Sequence, residues 1–190
     1  MSVTTFPPIA DYAFLSNCEQ NCLVAPDGSV EWLCLPRPDS PSVFGALLDR
    51  TAGMFRFGPT RALVPHQRRY VPGTMVLETT WHAPGGWLVV HDLLVMGRAG
   101  PQRRRENYQR PPSDFGATGV LLRTATCISG QVEVMVDCAP QFGYGTVEGT
   151  WSYLDDGYER MTVAPEGGDL RLEVKTQVPG WIIPIVIRVR

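Results

Sequence analysis

Apolar and polar residues alternate along several stretches of the chain. Val132, Val134 and Val136 fall on one side of an extended segment, and Glu133 faces the other way. A period of two places successive side chains on opposite faces of a β-strand. The segment 169–174 alternates in the same way. Both stretches therefore predict antiparallel strands with one face on a core and one face in solvent.

Short runs of Gly and Pro separate these segments into pairs. Pro presets φ at the second position of a turn, and Gly supplies the positive φ that closes it, so we expect four β-hairpins. Their predicted strands are 22–25 with 29–35, 75–81 with 87–92, 120–127 with 131–138, and 158–163 with 169–174. The predicted fold class is therefore mainly β, an antiparallel β-sandwich.

One short helix is predicted between residues 40 and 49. Ser40 is a suitable N-cap and Pro41 suits the first turn. Val43, Phe44 and the Leu47–Leu48 pair then follow at a spacing that places them on one helical face.

Composition and charge narrow the range of partners. Of 190 residues, 19 are Gly and 17 are Pro, which excludes a helical bundle. The net charge of −2 offers no general attraction for nucleic acid or an anionic membrane, and the basic run 103–105 is typical of a solvated loop. The apolar run 181–187 is far shorter than the ~20 residues of a membrane helix. The five cysteines are an odd number, which favours reduced thiols and a cytoplasmic protein.

Two motifs carry a resemblance to a known family. Residues 9–18 read IADYAFLSNC, and residues 27–49 read DGSVEWLCLPRPDSPSVFGALLD. These stretches resemble the N-terminal domain of bacterial glycoside hydrolase family 15, in particular its actinobacterial trehalase branch. The resemblance covers residues 7–174, including 69–80 and 121–134. We therefore expect an N-terminal domain over 7–174 and an atypical tail over 175–190 at a truncation point.

The resemblance implies that this chain is one part of a larger hydrolase. Family members carry a supersandwich-like β-domain followed by an (α/α)6 barrel, and the barrel holds the two glutamates of an inverting hydrolysis. The implied function is a non-catalytic domain that braces the barrel of an enzyme cleaving an α-glucosidic bond, most characteristically in α,α-trehalose. No catalytic residue, metal ligand or cofactor site is expected in this chain. The expected partner is the barrel of the same polypeptide, with self-association where the barrel is absent and disaccharide binding by the full-length enzyme.

Two alternatives remain open from the residues themselves. The chain could be a free-standing carbohydrate-binding module that stacks sugars on the aromatic residues Trp81, Trp87, Trp151 and Tyr153. It could also be a glycosidase in its own right, built from carboxylates such as Glu148, Asp155 and Glu159. The aromatic residues are equally typical of a sandwich core.

Two polar pairs are candidate contacts with substrate or with the barrel. Arg37 and Asp39 lie on a Pro-flanked loop, where Pro38 replaces the phenylalanine usual in the family. They could bind sugar hydroxyls at the rim of the barrel, or they could pair locally while Asp39 caps the helix. Asp11 and Tyr12 are either a polar anchor between domains or a ligand contact.

Overall fold

The computed structural model describes residues 6–96, 119–154, 159–176 and, for the backbone, 182–189. Fourteen strands within these ranges form two sheets. The strands are β1 (Ala13–Ser16), β2 (Asn21–Val24), β3 (Ser29–Cys34), β4 (Ser42–Phe44), β5 (Met54–Pro59), β6 (Gln67–Tyr70), β7 (Leu77–Ala83), β8 (Gly86–Leu94), β9 (Val120–Gly130), β10 (Val134–Ala139), β11 (Val147–Tyr153), β12 (Arg160–Pro165), β13 (Leu172–Thr176) and β14 (Ile182–Val189). A short helical turn, α1 (Phe142–Gly145), joins β10 to β11.

The sheets are antiparallel and of unequal width. The six-stranded sheet has the order β1-β2-β3-β5-β10, with β4 also paired to β3. The eight-stranded sheet has the order β11-β12-β13-β14-β9-β8-β7-β6. The predicted antiparallel β-sandwich is confirmed.

The core lies between the two sheets. Leu15, Leu33 and Phe55 contribute from the smaller sheet, and Trp81 and Leu121 from the larger; each is at most 1% exposed. Strand alternation accounts for this layer, since every second residue of a strand faces the opposite sheet.

A buried arginine, paired with an aspartate of its own sheet, links the two sheets through this core. Arg123 on β9 is 0% exposed, and its Nε donates to Oδ1 of Asp92 on β8 at 2.7 Å. Its Nη1 donates to the carbonyl of Phe55 at 2.7 Å and its Nη2 to that of Gly28 at 2.6 Å, both in the smaller sheet or its turns. A buried charge is tolerated where it is paired and hydrogen-bonded in this way.

Three of the four predicted hairpins are confirmed, as β2–β3, β7–β8 and β12–β13. The hairpin predicted around Ser129-Gly130 is wrong. β9 continues through these residues, which pair with Trp87 and Gly86 of β8, and β10 pairs with β5 in the other sheet. The chain thus changes sheets at 131–133 instead of turning back on itself.

The helix predicted between residues 40 and 49 is also wrong. Val43 and Phe44 lie on β4 and are 0% exposed, whereas Leu48 is 62% exposed. The backbone N–H of Gly45 donates to the carbonyls of Ala52 and Gly53, which commits this segment to a loop. Pairing of β4 with β3 therefore outweighs the helical spacing of the apolar residues.

The predicted tail contains a strand of the larger sheet. The β14 backbone pairs with β13 on one side and with β9 on the other. It thus lies in the interior of the sheet order, where both of its backbone edges are hydrogen-bonded.

Candidate functional site

Arg37 and Asp39 form an exposed ion pair. The guanidinium Nε of Arg37 donates to Oδ1 of Asp39 at 2.9 Å, and Nη2 donates to Oδ2. Their side chains are 72% and 66% exposed. The hydrogen bonds between them raise the pKa of Arg37 and lower that of Asp39. This loop therefore presents a preformed, planar, charged pair to its surroundings.

Hydrogen bonds to backbone groups hold the loop that carries this pair. The N–H of Arg37 donates to Oγ of Ser40 at 3.2 Å, and the N–H of Ser40 donates to the carbonyl of Arg37 at 3.0 Å. The side-chain amide of Gln20 donates to the carbonyl of Pro36 at 2.9 Å. Ser40 therefore closes a turn, and the expected helix-capping role of Asp39 and Ser40 is wrong because no helix follows.

Tyr12 belongs to a second polar cluster. Its hydroxyl donates to Oε2 of Glu31, which is only 4% exposed. Nη1 of Arg50 lies 2.6 Å from Oε1 of the same carboxylate, and the Arg50 guanidinium stacks 4.0 Å from the ring centroid of Phe6. Partial burial and the hydrogen bond to Glu31 raise the pKa of Tyr12 to about 12. The cluster ties the segment before β1 to β3 and to the loop after β4.

Asp11 contributes its backbone to the contact between sheets. Nη1 of Arg68 on β6 donates to the carbonyl of Asp11 at 2.6 Å, and Nη2 donates to the carbonyl of Val24 at 2.8 Å. Arg37 and Asp39 bond within their own loop, whereas Asp11 and Tyr12 bond to residues of other elements.

Glu31, Arg50 and the Arg123–Asp92 pair were not among the residues singled out in the sequence. Glu31 stands within the quoted motif of residues 27–49, and Arg50 directly follows it. An acidic residue within an apolar strand segment was the available signal for Glu31, since such a residue needs a partner when it is buried.

The aromatic residues separate into buried and exposed members. Trp81 is 0% exposed and belongs to the core. Trp87 is partly exposed and stacks on His82 at 4.6 Å between ring centroids. Trp151 and Tyr153 on β11 are 40% and 62% exposed.

The cysteines are free thiols, and two of them pack as small apolar side chains. Cys22 and Cys34 are buried, and burial raises the pKa of Cys22 to about 12. Within the part of the chain that the structure describes, no three His, Cys, Asp or Glu side chains are placed to hold a metal ion. Nor does any helix there have the length and apolar character to cross a membrane.

Two antiparallel sheets, bridged by hydrogen bonds from Arg123 and Arg68 to backbone carbonyls of the smaller sheet and its turns, define a β-sandwich domain. A family profile described as "Trehalase-like, N-terminal" matches residues 2–103, more than half of the chain. The chain therefore belongs to the trehalase-like N-terminal domain family. This agrees with the resemblance found in its motifs.

Curated relatives extend this similarity. The chain is 56% identical over 80% of its length to the trehalase of Mycobacterium tuberculosis and 55% identical over 80% to that of Mycolicibacterium smegmatis. It is 41% identical over 44% of its length to trehalase 1 of Sulfolobus acidocaldarius. The chain spans 23% of each mycobacterial relative and 15% of the third. No solved structure matches it significantly.

Proposed function

We propose that this chain is the non-catalytic N-terminal β-sandwich of an inverting α,α-trehalase, where it braces an (α/α)6 catalytic barrel of the same polypeptide. The observation that carries the proposal is the 56% identity to a protein named trehalase, confined to 23% of that protein's length. The larger part of such an enzyme then lies outside the matched segment. The five free cysteines support a cytoplasmic location.

The buried carboxylates of the sandwich support a structural role. An inverting glycosidase needs two carboxyl groups roughly 6.5–9.5 Å apart with a water between them. Glu31 is engaged by Tyr12 and Arg50, and Asp92 by Arg123. These carboxylates hold the fold together. The candidate Glu148 is exposed on the edge strand β11, and Asp155 lies outside the described residues.

The carbohydrate-binding alternative depends on exposed aromatic rings. Trp81 is buried and therefore cannot stack on a sugar. His82 stacks on one face of Trp87. Titration of the chain with trehalose and with maltose tests this alternative by calorimetry. We expect no saturable heat, whereas binding that is lost in Trp151→Ala favours a carbohydrate-binding module.

The test of the proposed function is a chimera in which this chain replaces the matched N-terminal segment of the M. tuberculosis trehalase. We expect the chimera to release glucose from trehalose, while this chain alone releases none. The mycobacterial protein without its N-terminal segment should be inactive or unstable. Full activity and stability of that truncated protein would falsify the bracing role.

The Arg37–Asp39 loop is proposed as the point where the sandwich reaches the rim of the substrate pocket. Its support is the exposed, stiffly held charged pair. Arg37→Ala in the chimera should lower kcat/KM for trehalose by about tenfold, as for loss of one charged hydrogen bond. The Tm should stay unchanged because the pair is exposed.

The competing role for this loop is a structural brace against the barrel. In that case Arg37→Ala lowers the Tm of the chimera and leaves kcat/KM intact. Arg61→Ala, at another exposed arginine, serves as the matched control.

A further inference from the structure

Strand β11, one of the two outer strands of the larger sheet, carries two aromatic residues on its core-facing side. Trp151 pairs with Val163 and Tyr153 with Met161 across β11 and β12. Residues directly opposite in an antiparallel pair project from the same face. Val163 is 0% exposed in the core, so Trp151 and Tyr153 also point inward, yet they are 40% and 62% exposed. The smaller sheet therefore does not cover the inner face of β11.

The smaller sheet shows the matching feature at β10. Val136 pairs with Phe57, which is 0% exposed in the core, so Val136 also projects inward. Val136 is nevertheless 44% exposed. β10 and β11 are outer strands of their sheets and are joined directly by residues 140–146. Within the described residues, the sandwich is thus open along this side, here termed the open edge and defined by Val136, Trp151 and Tyr153.

The chain closes one end of the open edge itself. Phe142 is 4% exposed, and its ring lies 2.8 Å from the position that a Cβ on Gly149 would take. Next to it, Tyr144 is 50% exposed, adopts a left-handed backbone with φ of 62°, and stacks on Trp32 at 6.4 Å. This backbone region is unfavourable for a residue with a side chain. The fold thus holds another aromatic ring outward beside the open edge.

We propose that the open edge is the surface on which the C-terminal remainder of the longer polypeptide packs. This inference rests on the proposed function and names the surface that serves it. The occupant follows from length, because the mycobacterial relatives place this domain within a chain of which it spans 23%. Interfaces between domains of one chain typically bury about 600–1,500 Å², with Trp and Tyr as anchors.

Two further features fit a protein partner better than a sugar. Val147 and Glu148 of β11 bridge to Phe142 and Gln141, and residues 149–153 pair with β12. Among the described strands no second one pairs with 149–153, so this part of the β11 edge can form backbone hydrogen bonds with an incoming segment. The residues directly opposite the two aromatic rings on the inner face are apolar, namely Val163 and Met161. A sugar platform needs polar side chains for the hydroxyl groups beside its aromatic ring.

The test compares backbone hydrogen exchange of residues 147–154 in this chain alone, diluted until it is monomeric, and in the active chimera. We expect exchange there to slow by about tenfold or more in the chimera, because packing removes the local opening of an edge strand. The double variant Trp151→Ser/Tyr153→Ser should abolish this protection and lower the inactivation temperature of the chimera. At a dilution where the chain alone is monomeric, the double variant should leave its Tm nearly unchanged. The matched control is Leu63→Ser/Val64→Ser, at apolar residues that are 61% and 81% exposed away from the open edge.

Several results would overturn the inference. Unchanged exchange at 147–154 in a chimera that hydrolyses trehalose removes the docking surface and leaves the proposed function standing. Protection that depends on chimera concentration assigns the edge to a second copy, and protection of the chain alone by trehalose assigns it to a sugar. An inactive chimera counts against the proposed function, while its exchange data still decide the docking surface.

Discussion

At the scale of single residues, charged side chains hold this sandwich together from within. Arg123 crosses the core and bonds to Asp92 and to two carbonyl groups, and Arg68 spans the sheets to the carbonyls of Asp11 and Val24. The Glu31 carboxylate accepts a hydrogen bond from Tyr12 and forms an ion pair with Arg50. Each contact joins residues that are far apart in the chain, so each stabilises the pairing of elements and not one element alone.

Replacing Arg123 tests the strongest of these contacts. Arg123→Met should lower the free energy of unfolding by about 3–5 kcal/mol, because it leaves Asp92 charged and buried without its partner. For a chain of this size the Tm should fall on the order of 10 °C. Thermal denaturation followed by circular dichroism measures the effect.

A double variant separates the ion pair from simple packing. Arg123→Met/Asp92→Leu should recover part of the loss, since no unpaired charge then remains in the core. Equal Tm values for the single and double variants would show that the destabilisation comes from packing alone.

Sequence patterns could locate the polar residues of the candidate site and of the core only in part. Arg37, Asp39, Asp11 and Tyr12 were visible through the family motifs and their Pro-rich surroundings. The partners of Tyr12 and of Asp92 come from other strands, 19 and 31 residues away. Such pairs depend on sheet topology, which local patterns do not contain.

At the scale of elements, the turns decide which strands can pair. Gly28 in the β2–β3 turn has φ of +86°, and a Cβ there would lie 2.6 Å from the carbonyl oxygen of Phe57. Gly73 has a similar φ of +75° but open space around it. The two positions therefore separate the cost of backbone conformation from the cost of a steric clash.

The glycine pair gives a matched prediction. Gly73→Ala should cost about 1–2 kcal/mol, the ordinary penalty of a left-handed residue with a side chain. Gly28→Ala should cost clearly more, because the methyl group also pushes against the Phe57 carbonyl and disturbs the Gly28 carbonyl that Arg123 binds. Urea denaturation of both variants provides the comparison, and equal losses would contradict the close approach at Gly28.

Local signals predicted tight hairpins well and changes of sheet poorly. The Pro-Asp-Gly, Pro-Gly-Gly and Pro-Glu-Gly-Gly turns all mark real hairpins. Ser129-Gly130 resembles a turn, yet both residues extend β9 opposite β8. The alternation of Val132, Val134 and Val136 correctly predicts a strand, β10. Alternation does not, however, specify which sheet a strand joins.

At the scale of the whole molecule, the described part of the sandwich is closed around its core and open along one edge. Val136, Trp151 and Tyr153 face inward from outer strands and remain exposed. An uncovered apolar edge of this kind favours association. The expected self-association of the isolated chain, and its loss in the chimera, both follow from the proposed docking of the C-terminal remainder at this edge.

The isolated chain offers a direct check of that expectation. Analytical ultracentrifugation should show concentration-dependent dimers that Trp151→Ser/Tyr153→Ser weakens, because the variant removes most of the apolar surface of the open edge. The Leu63→Ser/Val64→Ser control should leave the dimers unchanged. A monomer at all concentrations would indicate that the edge needs no cover.

The central claim is that an intact sandwich is required for a working catalytic barrel, and the inactivation temperature of the chimera tests it most directly. Trehalose hydrolysis is measured after heating the chimera with and without Arg123→Met, a change confined to the sandwich core. If the sandwich braces the barrel, the temperature of half-inactivation falls by about as many degrees as the Tm of the isolated chain, on the order of 10 °C. An unchanged half-inactivation temperature, with the unfolding transition of the sandwich lowered in the same sample, would contradict the account.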